Sequence, residues 1–181
     1  MIPFPDKKYQ IIYADPPWNG LGWNNGSGEK CPAKHYDVQE EDWILKLPVL
    51  RLANETCALF LWVTFPNLPL GLRTIEAWGF KYATCAFSWA KRNKQADSFF
   101  LGCGNYTRAN VELCLLGTRG HCQKIRVSRG VPQLCTAKIG RHSEKPTEIR
   151  DRIVELFGDR PRIELFARTR APGWDVWGNE V

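Results

Sequence analysis

No apolar run in this sequence approaches the roughly 20 residues that a membrane-spanning helix needs. The longest, CALFLWV at 57–63, has the length of a strand. The amino terminus, MIPFPDKKY, lacks the basic-then-apolar order of a secretory signal, so an intracellular, cytoplasmic chain is expected. No C-x-x-C pair occurs, and the seven cysteines are odd in number. A zinc site built from Cys103, Cys114, Cys122 and Cys135 would have no ligand-pair turn, because the spacings are 11, 8 and 13 residues. Reduced, structural thiols are the favoured reading, with Cys57, Cys85 and Cys114 inside apolar strand patterns. The glycine-rich stretches GLGWNNGSGEK and GCGNY do not contain the G-x-x-x-x-G-K-[ST] phosphate cradle. Internal repeats, low-complexity segments and linkers are also missing, so residues 1–181 are expected to form a single domain.

What is present is ordinary globular material, 44% hydrophobic and 24% charged, enough for a core of its own. Lys and Arg number 25 against 19 Asp and Glu, a formal net charge of +6. That balance suits a polyanionic partner without requiring one. The cations cluster at Lys91, Arg92 and Lys94, at Arg119, Lys124, Arg126 and Arg129, and at Lys138 and Arg141. Solvated loops are the plainer explanation for such clusters.

Five short apolar runs bounded by turn residues predict strands at 9–14, 57–63, 80–90, 111–118 and 162–167. Helices are predicted between them. VQEEDWILKLPVL begins with acids and is stopped by Pro48; LPLGLRTIEAWG ends at Gly79; KPTEIRDRIVELFG carries Ile149, Ile153, Leu156 and Phe157 as one stripe and closes at Gly158. Alternation of strand and helix predicts an α/β sheet with helices on both faces. Residues 19–37 and 119–144 fit neither pattern; the glycine-rich GLGWNNGSGEK (20–30) within the first is read as a lid over the site.

The segment YADPPWN raises the chemical question. A residue before proline is held extended, which applies to Asp15 and again to Pro16, and neither proline offers an N–H. An apolar strand thus ends in a rigid carboxylate, acceptor carbonyls and an indole. That set matches a planar base with an exocyclic amine: the amine donates twice and the ring stacks on Trp18. Accepting both N–H bonds makes an adenine amine a better nucleophile and stabilises the charge it develops on attack. The competing reading is an acidic turn with Trp18 as a core residue.

The strand plus D-P-P-W resembles motif IV of the MTA-seventy family, the S-adenosylmethionine-dependent adenine-N6 methyltransferases. The resemblance continues through KHYDVQEEDW, CALFLWVT, EAWGFKYATCAFSWAKRN, GCGNYTRANVELCLLGTRG, RHSEKPTEI and RIELFARTRAPGWDVWGN, seven segments in the family's order. It implies a Rossmann-like methyltransferase with a mostly parallel sheet and permuted motif order. It also implies roles by residue. Asp15, Pro16, Pro17 and Trp18 would bind and activate the target adenine, and Tyr36 would close over it. Lys145, Glu164 and Arg168 would hold the methionine and ribose parts of S-adenosylmethionine, with Asn179 and Glu180 at its ribose or adenine. Arg108 is expected either to pair with Glu112 or to shape the substrate pocket, and His142 to touch substrate or orient its loop.

Two departures stand out. The family carries an Asp-bearing segment before this strand, and here about nine residues precede it, so the cofactor's adenine is expected to be held otherwise. Arg170 and Ala171 replace a His-Asn pair of the messenger-RNA enzyme, so the ribose contacts there are expected to differ. The polymer is expected to be DNA rather than RNA, and the protein a monomer or homodimer. An inactive nucleic-acid-binding subunit is the rival reading, opposed by the presence of Asp15, Trp18, Lys145, Glu164 and Asn179.

Overall fold

Period-two alternation makes a strand two-faced, and here both faces are apolar. In the computed structural model, residues 2–18, 41–104, 106–141 and 143–181 are described. Their strands are β1 (Tyr9–Ala14), β2 (Ala53–Val63), β3 (Lys81–Arg92), β4 (Val111–Arg119), β5 (Leu134–Lys138), β6 (Arg162–Leu165) and β7 (Asp175–Trp177). They form one sheet in the order β5-β3-β4-β2-β1-β6-β7. Only β4 runs against its neighbours β2 and β3; the other neighbouring pairs are parallel. The mostly parallel α/β architecture expected from the sequence is the one observed.

Ile12, Ala14, Leu59, Leu61 and Val63 turn to one face, where α1 (Glu41–Lys46) and α2 (Leu68–Ala77) supply Ile44, Leu70 and Ile75. Ile11, Tyr13, Ala58, Phe60 and Trp62 turn to the other, against α3 (Cys122–Ile125) and α4 (Glu148–Phe157) with Ile149, Ile153 and Phe157. Each fully buried large side chain contributes about 1.5–3 kcal/mol relative to exposure. Gly158 stops α4 at φ +80°, a backbone conformation that a side chain would strain.

Three departures from the sequence expectations have local causes. The first helix ends at Lys46, two residues before the Pro48 that was expected to stop it, and a separate 3-10 turn, Val49–Leu52, follows. The stretch 119–144, which carries no strand or helix pattern, contains α3 and β5. β5 is an edge strand with Cys135 buried and Leu134 60% exposed, so it has no apolar alternation to detect. The three-residue β7 is too short to register in a pattern.

Among the described residues no helix is long and apolar enough to cross a membrane, and no three His, Cys, Asp or Glu converge as a metal site. Cys122 Sγ donates to the Cys57 carbonyl at 3.0 Å and Cys135 Sγ to Glu148 Oε1 at 2.7 Å. These thiols serve packing.

Candidate active site

The carboxyl end of β1, a central strand, delivers Asp15. Its Oδ2 accepts a hydrogen bond from Lys145 Nζ at 2.7 Å. Lys145 comes from the turn before α4, donates also to the Ser143 carbonyl at 3.1 Å, and lies 3.4 Å from Glu112 Oε2. Glu112 Oε1 in turn accepts from Lys91 at 2.5 Å. Two carboxylates and two ammoniums therefore alternate in one chain. The reversed strand explains how they meet: because β4 runs against the others, its first residues lie beside the last residues of β3 and β2. Lys145 also stands 5.6 Å from the ring centroid of Trp62, near the end of β2.

The electrostatics follow from burial and neighbours. Burial raises the Asp15 carboxyl above the usual Asp value, and Lys145 offsets this only in part. Glu112 is buried too, but Lys145 and Lys91 outweigh that and hold it below the usual Glu value. For Lys145, burial opposes the charge, yet Asp15 and Glu112 overcome it and push its pKa up.

The D-P-P-W turn is pinned from within. Trp18 N–H donates to the Pro16 carbonyl at 2.8 Å, and its indole Nε1 donates to the Trp62 carbonyl at 2.8 Å. Trp18 is 9% exposed and belongs to the core against α1 and α2. It anchors the turn instead of presenting an open ring. The Pro16 carbonyl, having taken one bond, keeps a second lone pair. Trp62 is itself fixed, its Nε1 donating to Tyr13 Oη at 2.6 Å.

A second cluster lies at the ends of β6 and β7. Glu164 is paired in register with Tyr13 and is 8% exposed; both of its oxygens accept from Arg150, at 2.7 and 2.8 Å. The strand then turns sharply, with Phe166 at φ 62°, and Ala167 N–H donates to the Trp177 carbonyl at 3.0 Å. That contact brings Arg168 to Glu180, 3.0 Å apart, beside the exposed Asn179. Gly178 sits so close to the Ala167 backbone that an added Cβ would overlap it.

The predicted residues thus fall into two groups, Asp15 to Trp18 with Lys145, and Glu164 with Arg168, Asn179 and Glu180. Arg108 joins neither. It donates to the Gly102 and Leu101 carbonyls, and Glu112 pairs with lysines instead. The four-residue spacing would join Arg108 and Glu112 only on a helix, and this segment leads into β4. Tyr36, His142 and the expected lid at 20–30 lie outside the described residues. Lys91 and Arg92 spend charge internally, on Glu112 and Asp97. Sequence reasoning missed Arg150, Lys91 and Tyr13. Arg150 left a trace, a cation at the spacing of Ile153 and Phe157 on the sheet-facing side of α4.

Residues 9–180 match the MT-A70 family, the MTA-seventy family of the sequence resemblance. The chain belongs to the MT-A70 family. MT-A70 proteins are adenine-N6 methyltransferases. One relative, the Mycoplasma Type II methyltransferase M.MunI, is 34% identical over 98% of this chain and 79% of its own length. The human N(6)-adenosine-methyltransferase catalytic subunit METTL3 is 29% identical over 96% of this chain, which spans only 28% of that protein. The zebrafish (Danio rerio) METTL3 subunit is likewise 29% identical, with 28% of its length covered.

Proposed function

We propose that this MT-A70 chain is a DNA adenine-N6 methyltransferase that uses S-adenosylmethionine in the cytoplasm of a bacterial or phage-infected cell. The observation that carries the reading is the Asp15 carboxylate, held at the carboxyl end of a central parallel strand by Lys145 at 2.7 Å. Ligands of such sheets bind there. The DNA choice rests on the higher identity to the Type II methyltransferase, 34% against 29% for the human adenosine methyltransferase subunit.

The residues present fit the cofactor by donor chemistry. Glu164 offers acceptors to ribose hydroxyls, Asn179 an amide, and Lys145 a cation for the methionine carboxylate, which would replace the Ser143 carbonyl among its three N–H partners. When bound, S-adenosylmethionine supplies a sulfonium methyl as the electrophile. Asp15 and the free lone pair of the Pro16 carbonyl accept the two amine hydrogens of the target adenine. This fixes the nitrogen for in-line attack and stabilises its developing positive charge. The proton leaving the methylated nitrogen passes to Asp15 Oδ; a strong base is unnecessary because that cation is acidic. Trp18 and Pro17 hold the turn rigid, so Asp15 does not have to be reoriented for the reaction. Glu112 holds Lys145 beside Asp15.

The test incubates the purified protein and labelled S-adenosylmethionine with double-stranded DNA, single-stranded DNA and RNA, each containing adenine. Nucleoside mass spectrometry then scores N6-methyladenine. Methyl transfer to DNA that disappears in Asp15→Ala is the expected result. Transfer to RNA alone would overturn the choice of polymer, and methylation that survives Asp15→Ala would overturn the mechanism.

A further inference from the structure

We infer that Arg150 is a positioning residue for cofactor recognition, fixing the Glu164 carboxylate in the one orientation that accepts a vicinal diol. The inference rests on the reading of Glu164 as the ribose acceptor. Arg150 donates through Nε to Oε2 and through Nη2 to Oε1, at 2.7 and 2.8 Å, a parallel fork that leaves the carboxylate no freedom to rotate. An ionised carboxylate has about four acceptor sites. The fork occupies one lone pair on each oxygen and leaves one on each. Two acceptors at the spacing of a carboxylate are complementary to two adjacent hydroxyls.

A purely structural role explains this pair poorly. Desolvating two ions commonly costs as much as their attraction returns, and apolar substitutes often serve stability as well. On the β1 side, the nearest neighbours of position 164 across the sheet are aromatic. Its neighbour Tyr13 packs at 5.8 Å against the ring of Trp174, and Phe60 and Trp62 follow across β2. The ion pair instead stands one residue before the end of β6, at the ligand-binding edge of the sheet. The segment that supplies Arg150 also supplies Lys145 to Asp15. One turn and the first turn of α4 thus orient both carboxylates of the site, one for the amine and one for the sugar.

The test is calorimetric binding to the full chain of S-adenosylhomocysteine and of its 2′,3′-dideoxyribose analogue, with kcat and KM for S-adenosylmethionine and thermal melting alongside. The variants are Arg150→Lys, which keeps the charge but not the fork, Arg150→Met and Glu164→Gln. Arg150→Lys is expected to weaken binding of the ribose compound about tenfold, the loss of one charge-assisted hydrogen bond. The dideoxy analogue should change by less than about twofold, and kcat should hold while KM rises. Glu164→Gln should narrow the gap between the two compounds in the same way. Equal affinity in wild type and Arg150→Lys overturns the inference, as does equal loss for both compounds with a lowered melting temperature. A wild type that binds neither compound rejects the cofactor reading and the inference together; a wild type that binds both equally rejects the diol role alone.

Discussion

Lys145 and Asp15 are 130 residues apart in the chain and 2.7 Å apart in the fold. The carboxylate proposed to receive an adenine amine is therefore met by an ammonium that Glu112 also holds. A cation thus holds the Asp15 carboxylate, and its ionisation depends on that neighbour.

The pH dependence of methyl transfer follows from this arrangement. Asp15 must be ionised to accept the amine, and its carboxyl is raised above the usual Asp value of about 3.9. The acid limb of kcat/KM is therefore expected above that value, with activity lost as pH falls through the raised pKa. Glu112→Gln removes a like charge and should shift the limb to lower pH. Lys145→Met removes the counter-charge and should shift it to higher pH. A limb that stays put in both variants would assign it to another group.

Trp18 is predicted to matter for stability before chemistry. Trp18→Phe removes the indole N–H and leaves the Trp62 carbonyl without that donor. The cost should be about 1–3 kcal/mol in urea unfolding. Trp18→Ala adds a cavity and should cost about 3–5 kcal/mol. Unchanged midpoints would show that the indole is dispensable to the turn.

Tyr13 gives a parallel test on the opposite sheet face. Tyr13→Phe strips the acceptor from Trp62 Nε1, which it holds at 2.6 Å. A buried indole N–H without a partner should lower stability by about 1–3 kcal/mol, with no change in the secondary structure seen by circular dichroism. A neutral substitution would mean that the indole finds another acceptor.

Gly178 should tolerate no side chain. Its added Cβ would overlap the Ala167 carbonyl and amide. Gly178→Ala is expected to separate the exits of β6 and β7, costing about 1–3 kcal/mol and weakening binding of S-adenosylhomocysteine. Wild-type affinity in this variant would exclude the β6–β7 rim from the cofactor site.

Thiol chemistry checks the packing of the cysteines. Cys103 is exposed, whereas Cys57, Cys114, Cys122 and Cys135 are buried, with the Cys135 thiol pushed up to about 12 by burial and by Glu148. Cys103→Ser should delete one fast-reacting thiol from a disulfide-exchange titration of the native protein, and the buried four should react only on unfolding. Fast reaction of a buried thiol would argue against this packing.

The sequence disclosed those features that are written locally. Strands β1 to β4 and β6 announce themselves because runs such as QIIYA and CALFLWV are apolar on both faces. The helix 148–157 is legible from its stripe and its closing glycine. β5 and β7 were not, since an edge strand with one buried residue and a strand of three residues carry no periodic signal. Pro48 was read correctly as a stop, but the helix ended two residues before it.

By itself, then, the sequence determined the sheet-forming runs, the rigid D-P-P-W turn and the family. Each depends on neighbours within a few residues: alternation, the restriction that proline imposes, and motif order. Tertiary structure alone decided that Lys145 faces Asp15 and Glu112, that Arg108 does not, that Trp18 is buried, and that Arg150 clamps Glu164. Those pairings depend on which strand lies beside which and on the single reversed strand β4. Charge attraction acts through space, so local sequence pattern leaves the partner of a buried ion unspecified until the sheet order brings the two together.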